Sequence, residues 1–171
     1  DPGNSKLLEG LMISFIAQGS VDEAVSIATV YKDTGSVSQI SQMILLASMI
    51  KDGQTEAFLN FVKNASEITP ILKDLLSAWI RMGLGDEVTA NRIFDKTAKV
   101  QGMGQFANFH RAMSQLAAGK VDQAQRTFDL IHSDQASPTR RSVIYHTKIL
   151  LSQSKFKEAQ QLLEKWFGPA F

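Results

Sequence analysis

The sequence predicts an all-α protein made of about five stacked helical hairpins, and three observations carry that prediction. Four glycines recur at intervals of 34, 32 and 34 residues, and a serine continues the series 35 residues later: Gly19, Gly53, Gly85, Gly119 and Ser154. An alanine follows four of these five markers at a distance of five residues: Ala24, Ala90, Ala124 and Ala159. Apolar residues between the markers keep helical spacing, and no segment shows the sustained alternation of a strand. A fixed period of this length is typical of stacked helix–turn–helix units.

The five hairpin units are predicted at about residues 4–36, 37–68, 69–102, 103–136 and 137–171. In the first unit, Met12 and Ile16 belong to an apolar stripe on one face of a helix, and Gly19 is placed to end that helix. The return helix is predicted from Val21 to about Tyr31. The second unit is predicted to have helices over about 38–51 and 55–64.

The third and fifth units are each expected to open with a capping residue followed by a first-turn proline. These pairs are Thr69-Pro70 and Ser137-Pro138. The return helix of the third unit is predicted over about 86–100, with Val88 on its inner face. The fourth unit is predicted to begin near Gly104, and Phe156 is predicted to face inward in the fifth.

The repeated alanine has a physical role where two helices of a hairpin cross, because a small side chain lets the two backbones approach closely. A larger residue four positions later, Phe94 or Phe128, is predicted to fill the space towards the next hairpin. The second unit departs from this pattern, since Phe58 stands where the alanine is expected.

Glycine, alanine five residues later and an aromatic residue four further on resemble the tetratricopeptide repeat (TPR), as in Gly85–Ala90–Phe94 and Gly119–Ala124–Phe128. Pro70 follows Gly53 by 17 residues, where the closing proline of that repeat belongs. The resemblance implies a right-handed superhelix whose first helices line a concave groove. It also implies a protein-interaction scaffold with no catalytic residue and no cofactor.

Two further resemblances concern the origin of the chain. Pro2 precedes Gly19 by 17 residues, which resembles the end of an earlier repeat and implies that the chain is the C-terminal part of a longer repeat protein. The segments Leu75–Trp79, Phe106–Ala112 and Leu116–Gly119 resemble uncharacterised bacterial repeat proteins. That likeness implies a bacterial protein and favours the cell envelope over the cytoplasm.

Composition narrows the class of protein. The chain has no cysteine, which excludes disulfides, thiol catalysis and thiolate metal sites. No apolar run approaches the roughly 20 residues of a membrane span. The net charge of +1 is unevenly distributed, because residues 1–60 carry 3 basic and 7 acidic side chains, whereas residues 61–171 carry 15 and 10. Such a polarised charge can steer a partner, although two ordinary solvated surfaces would give the same counts.

Six side chains on predicted first helices are candidates for binding a partner: Trp79, His110, Arg111, Arg140, Arg141 and His146. Arginine and tryptophan often dominate binding energy, so an acidic or carboxyl-terminal peptide across units three to five is predicted. The two histidines could instead be structural and Trp79 could belong to the core. Neither histidine has a histidine or carboxylate four residues away, so no metal ligand motif is predicted.

The predicted function is therefore a non-catalytic scaffold that binds a protein or peptide, and a second copy of the chain is one possible partner. The alternative is an RNA-binding repeat of the pentatricopeptide type, which has a similar period. The drifting period, the small net charge and the lack of a repeated polar pair disfavour RNA, so no nucleic acid is expected. An enzyme is the third class, and no G-x-S-x-G nucleophile motif is present.

Overall fold

The computed structural model describes residues 4–133 and 138–169, and these residues form ten helices and no strand. The chain divides within α5 into two compact units. Residues 1–80 are called the first unit and residues 81–171 the second unit, and each is larger than one predicted hairpin. The helices are α1 (Ser5–Gln18), α2 (Val21–Asp33), α3 (Gln39–Lys51), α4 (Thr55–Asn64), α5 (Pro70–Gly83), α6 (Glu87–Ala98), α7 (Gly104–Ala117), α8 (Val121–Ser133), α9 (Arg140–Ser152) and α10 (Phe156–Phe167).

All five periodic markers have the left-handed backbone conformation. The four glycines have φ between 70° and 79°, and Ser154 has φ of 60°. Ser154 is the one non-glycine residue with positive φ among those described. Each marker ends the first helix of a pair and turns the chain into the second, which explains why glycine, free of a Cβ penalty, recurs there.

The first unit has two apolar clusters. In the first, Leu8 and Met12 of α1 pack with Ala24, Ala28 and Tyr31 of α2. In the second, Leu46 of α3 packs with Phe58 and Val62 of α4, and side chains of α5 lie against them. Phe58 is only 2% exposed, so the second hairpin, about residues 37–68, buries a large residue at the position where the other hairpins bury alanine.

The second unit packs α7, α8 and α9 around Phe128. Ala112, Ala124, Ile131 and Ile149 complete this cluster. Ala90, Ala124 and Phe128 have no exposed surface, as the predicted helix crossings require. The residues after the last two markers reach back to earlier helices: Lys120 pairs with Glu87, and Lys155 Nζ donates to Gln125 Oε1 at 3.0 Å.

Three local predictions were wrong. The first helix of the fifth hairpin does not begin at Pro138, because it begins at Arg140 with Thr139 as its cap. The Thr139 side chain accepts a hydrogen bond from Ser142 N. Ser137, the predicted cap, lies outside the described residues. Val88 is 72% exposed, because two residues correspond to about 200° around a helix and place it opposite Ala90. Phe156 is 65% exposed at the first position of α10.

Candidate functional site

An open apolar groove runs across the first unit between α1, α3 and the start of α5. Its volume is about 610 Å³. Ile13 and Ile16 on its α1 side are 50% and 45% exposed. The ten lining residues are Ile13, Ile16, Ala17, Val21, Gln39, Ile40, Met43, Ile44, Ala47 and Leu72.

The walls of this groove offer almost no hydrogen-bonding groups. Gln39 is the one polar residue among the ten that line it. Most residues contributed by α1 and α3 lie inside the helices, where backbone N–H and C=O groups pair with each other. Gln39 and Ile40 are the first two residues of α3, and their N–H groups have no partner within the helix. A ligand there would gain free energy by burying apolar surface and would find few partners for its own polar groups.

A second cavity of the first unit, of about 400 Å³, lies among α2, α3 and α4. Its lining is mixed, with Lys32, Ser41 and Asn60 beside Leu45 and Phe61. The buried amide of Gln42 also lines it and is already engaged, because Gln42 Oε1 accepts a hydrogen bond from Glu67 N at 3.0 Å. The apolar groove is the larger of these two cavities.

The second unit has a pocket of about 400 Å³ that brings together two of the predicted site residues, His110 and Arg141. Phe106 and Phe109 form one wall, and the ring of each meets His110 edge-on, with centroids 4.7 and 5.8 Å apart. Ile131, which is 2% exposed, also lines the pocket. The other lining residues are Gly102, Gln105, Thr139 and Ser142.

The pocket has a positive electrostatic character. The Arg141 guanidinium lies over the ring of Phe109 at 5.6 Å and over that of Tyr145 at 6.0 Å. Within the described part of the chain Arg141 makes no ion pair, and no acidic side chain lines the pocket. Burial, and then the charge of Arg141, lower the pKa of His110 below its usual value, so the imidazole is neutral at pH 7.

The other four predicted site residues lie elsewhere. Arg140 is exposed, and its guanidinium lies 5.9 Å from the ring centre of Phe167. Arg111 is committed to an ion pair, with its Nη1 2.6 Å from Asp95 Oδ1. His146 is 4% exposed, which removes it from the predicted binding surface. Trp79 is partly buried on the part of α5 that belongs to the first unit.

His146 belongs to a buried polar chain that crosses from α9 to α8. Its Nδ1 lies 2.8 Å from Nδ1 of His132, and the two rings stack with centroids 5.0 Å apart. His132 Nε2 lies 3.3 Å from Ser142 Oγ, whose own hydrogen goes to Thr139 O at 2.8 Å. His146 Nε2 lies 3.3 Å from Asp129 Oδ1 without hydrogen-bond geometry.

This network assigns the protons of the two imidazoles. Because Ser142 Oγ donates to Thr139, it must accept from His132 Nε2–H, and His132 Nδ1 then accepts from His146 Nδ1–H. With one proton on each ring, this assignment leaves a lone pair on His146 Nε2, which has no hydrogen-bond partner among the described residues. The Ser142 hydroxyl is buried and already donates, so the arrangement stabilises the packing of α8 on α9.

Burial is the main cause of the low proton affinity of this pair. It lowers the pKa of His132 to about 4, with the neighbouring His146 adding to the effect. It also lowers the pKa of His146 to about 4, with Lys155 adding to the effect. Both imidazoles are therefore neutral at pH 7, in agreement with the proton assignment.

Sequence reasoning missed the apolar groove and the histidine pair. The signal for the groove was present, because Ile13, Ile16 and Ala17 are three and four residues apart and form an apolar strip of α1 beside the buried Leu8 and Met12. For the histidine pair, the sequence indicated one side only, since Ser142 and His146 are four residues apart and share one helix face. In the sequence, nothing places His132 against that face.

Two searches of the described residues gave negative results. No group of three or more histidine, aspartate or glutamate side chains in residues 4–133 and 138–169 is placed to hold a metal ion. No helix in those same ranges is long and apolar enough to cross a membrane.

Comparison with known proteins adds a structural similarity. No protein-family model matches the chain, and no curated protein matches it. Among solved structures, the chain is similar to a variant of a Podosopora anserina protein described as a candidate kinesin light chain with nearly identical TPR-like repeats. The chains are 17% identical, the match covers 96% of this chain and 93% of the other, and the TM-score is 0.61.

The chain has a TPR-like helical repeat fold. The all-helical architecture predicted from the glycine–alanine period is thereby confirmed. At 17% identity the similarity concerns the fold alone.

Proposed function

We propose that this chain is a non-catalytic scaffold for a protein partner, and that its first unit binds the apolar face of an amphipathic helix. The observation that carries the proposal is the groove of about 610 Å³ between α1, α3 and α5, with nine apolar residues among the ten that line it. Ile13 and Ile16 present about half of their surface to solvent there. Contiguous exposed apolar surface is a mark of interaction sites in proteins of this size.

The helical form of the partner follows from the polarity of the groove. An extended peptide needs hydrogen-bond partners for its backbone when it leaves water. The groove offers one polar side chain, Gln39, and walls whose backbone groups, except at the first turn of α3, are paired within helices. A helix satisfies its own backbone internally and presents side chains at i, i+3, i+4 and i+7, which suits an apolar groove.

The same chemistry favours protein over nucleic acid as the partner. No basic side chain is among the residues that line the groove, whereas nucleic acid binding relies on cations that neutralise phosphates. Aromatic stacking platforms for bases are absent from its lining as well. The bacterial origin and the envelope location implied by the closer sequence resemblance stay predictions.

Selection of peptides tests this proposal directly. A display library of 16-residue peptides would be selected against the whole chain, and the winning peptides measured by fluorescence anisotropy. We expect winners with apolar residues at helical spacing. Ile13→Glu should weaken their binding about tenfold or more, because a carboxylate would have to be desolvated against an apolar helix face.

Val30→Glu is the matched control. Val30 is 45% exposed on α2 and does not line the groove, so its replacement introduces the same charge on an unrelated face. We expect less than a twofold change in affinity. Selected peptides without apolar residues at helical spacing would contradict the proposal. Equal losses of binding affinity in the two variants would contradict it as well.

A further inference from the structure

The second unit carries a pocket whose chemistry differs from that of the apolar groove. It combines the aromatic wall of Phe106 and Phe109 with the cationic Arg141 and the neutral imidazole of His110. Phe106 is 47% exposed, so part of its ring is open to a ligand. A single small site of about 400 Å³ thus offers an apolar surface and a positive charge side by side.

The charge in this pocket is uncompensated by the described residues. Arg111 and Lys120, two other cations of α7 and the turn after it, are paired with Asp95 and Glu87. Arg141 instead lies over aromatic rings and makes no ion pair in the described part of the chain. Thr139 also lines the pocket, whereas the hydroxyl of Ser142, another lining residue, is buried and already hydrogen-bonded. An anionic group entering the pocket would therefore meet a guanidinium and polar neighbours and no described carboxylate.

We propose that this pocket binds a peptide segment in which a carboxylate lies next to an aromatic ring. The carboxylate pairs with Arg141 and the ring packs against Phe106. Guanidinium groups recognise carboxylates through two parallel hydrogen bonds, and edge-to-face aromatic contacts orient a ring beside them. The site is separate from the apolar groove of the first unit, so it does not depend on the function proposed for that groove. The carboxylate can come from a chain terminus or from an acidic side chain next to an aromatic residue.

Three short peptides distinguish these sources. Acetyl-Gly-Gly-Phe with a free carboxyl terminus presents a terminal carboxylate, and acetyl-Gly-Phe-Glu-Gly amide presents a side-chain carboxylate. Acetyl-Gly-Gly-Phe amide has the ring and no negative charge. Each would be titrated into the whole chain while the imidazole resonances of His110 are followed by NMR.

We expect at least one carboxylate peptide to bind and to raise the pKa of His110, because a negative charge nearby favours the protonated ring. The amide peptide should leave that pKa unchanged. Arg141→Gln should weaken binding of the carboxylate peptide about tenfold. Arg140→Gln, one residue away and outside the pocket, should change it less than twofold.

Circular dichroism melts of both variants would confirm that each is folded, and Phe106→Ala gives a second test at a half-exposed position that is not part of the core. Binding of the amide peptide as strong as that of the acids would overturn the proposal. Equal losses of binding affinity in the two arginine variants would also overturn it. So would saturation with a carboxylate peptide that leaves the pKa of His110 unchanged. Failure here leaves the effect of Ile13→Glu on helix binding untouched, so the two proposals fail independently.

Discussion

At the scale of the residue, the clearest feature is the serine that adopts the backbone conformation of a glycine. Ser154 has φ of 60°, a left-handed backbone conformation that is strained for serine and unstrained for glycine. We expect Ser154→Gly to stabilise the chain by about 0.5 kcal/mol, because relief of the strain exceeds the added flexibility of the unfolded state. Gly119→Ala should lower the free energy of unfolding by about 1 kcal/mol. The same backbone strain is the whole cause, because no atom lies within 4 Å of the added Cβ and no steric clash contributes. Urea unfolding measures both, and a loss of stability in Ser154→Gly would contradict this account of the turn.

The alanine at each helix crossing gives a second prediction at this scale. Ala124 has no exposed surface and lies in the cluster around Phe128. Ala124→Leu should therefore lower the free energy of unfolding by about 1–3 kcal/mol through overpacking. Ala117→Leu, on an exposed position of α7, is the control and should change it by less than about 0.5 kcal/mol. Equal stability of the two variants would argue against a close helix crossing at Ala124.

Single residues were predictable where the backbone or the packing fixes their type. The marker glycines and the buried alanines recur because φ and helix separation leave few alternatives. The exposed position of Val88 follows from helical periodicity relative to Ala90 and was misassigned, whereas that of Phe156 was not predictable, since apolar residues also occupy exposed helix positions.

At the scale of the element, the stacked His132 and His146 join α8 to α9 and make their packing sensitive to acid. The pKa of each is about 4 in the fold, against about 6.5 in an unfolded chain. The neutral pair therefore contributes its full stability above pH 6.5, and that stability is lost as the pH falls towards 4. The slope due to the pair is at most about 2.7 kcal/mol per pH unit, for two protons. Asp129 opposes the shift at His132, and Lys165 adds to it, while Lys155 acts on His146.

The comparison protein for this prediction is the double variant His132→Phe with His146→Phe, which keeps two stacked rings and removes both titrations. Urea midpoints at pH 7.5, 6.0 and 4.5 should fall less steeply for the variant than for the wild type. Parallel curves would show that other groups, such as carboxylates, govern the acid sensitivity.

Helices were predictable to within one or two residues wherever a cap or a glycine marks the end. Pro70 begins α5, and Gly19 follows α1, as the sequence indicated. The start of α9 was misplaced because Thr139 and Ser142 form a cap of equal quality to the predicted one. Local capping preferences cannot choose between two such candidates a few residues apart.

At the scale of the whole molecule, stability should depend on neighbouring helices. The core around Phe128 is completed by α7, α8 and α9, and Ala90 and Phe94 on α6 of the same unit have no exposed surface. We therefore expect residues 68–171 to stay helical when expressed alone, because each repeat relies mainly on adjacent ones. Circular dichroism would show a helical spectrum and a thermal transition at a lower temperature than that of the whole chain. A random-coil spectrum would indicate one indivisible core.

The fold was predictable as a whole, whereas the site was predictable only in part. His110 and Arg141 meet in one pocket, but their junction depends on how α7 packs beside α9, which sequence spacing does not determine. The apolar groove was missed because its residues look like core residues, and only the three-dimensional arrangement leaves Ile13 and Ile16 open to solvent.

The central claim is that the groove of the first unit binds an apolar helix face, and isoleucine methyl NMR tests it most directly. The methyl groups of the whole chain would be observed while a library-selected helical peptide is added. The account predicts large shifts for Ile13, Ile16 and Ile40, which line the groove. The methyl group of Ile144, 37% exposed on α9 of the second unit, should not shift. Shifts confined to the second unit, with the groove methyl groups unchanged at saturation, would contradict the claim.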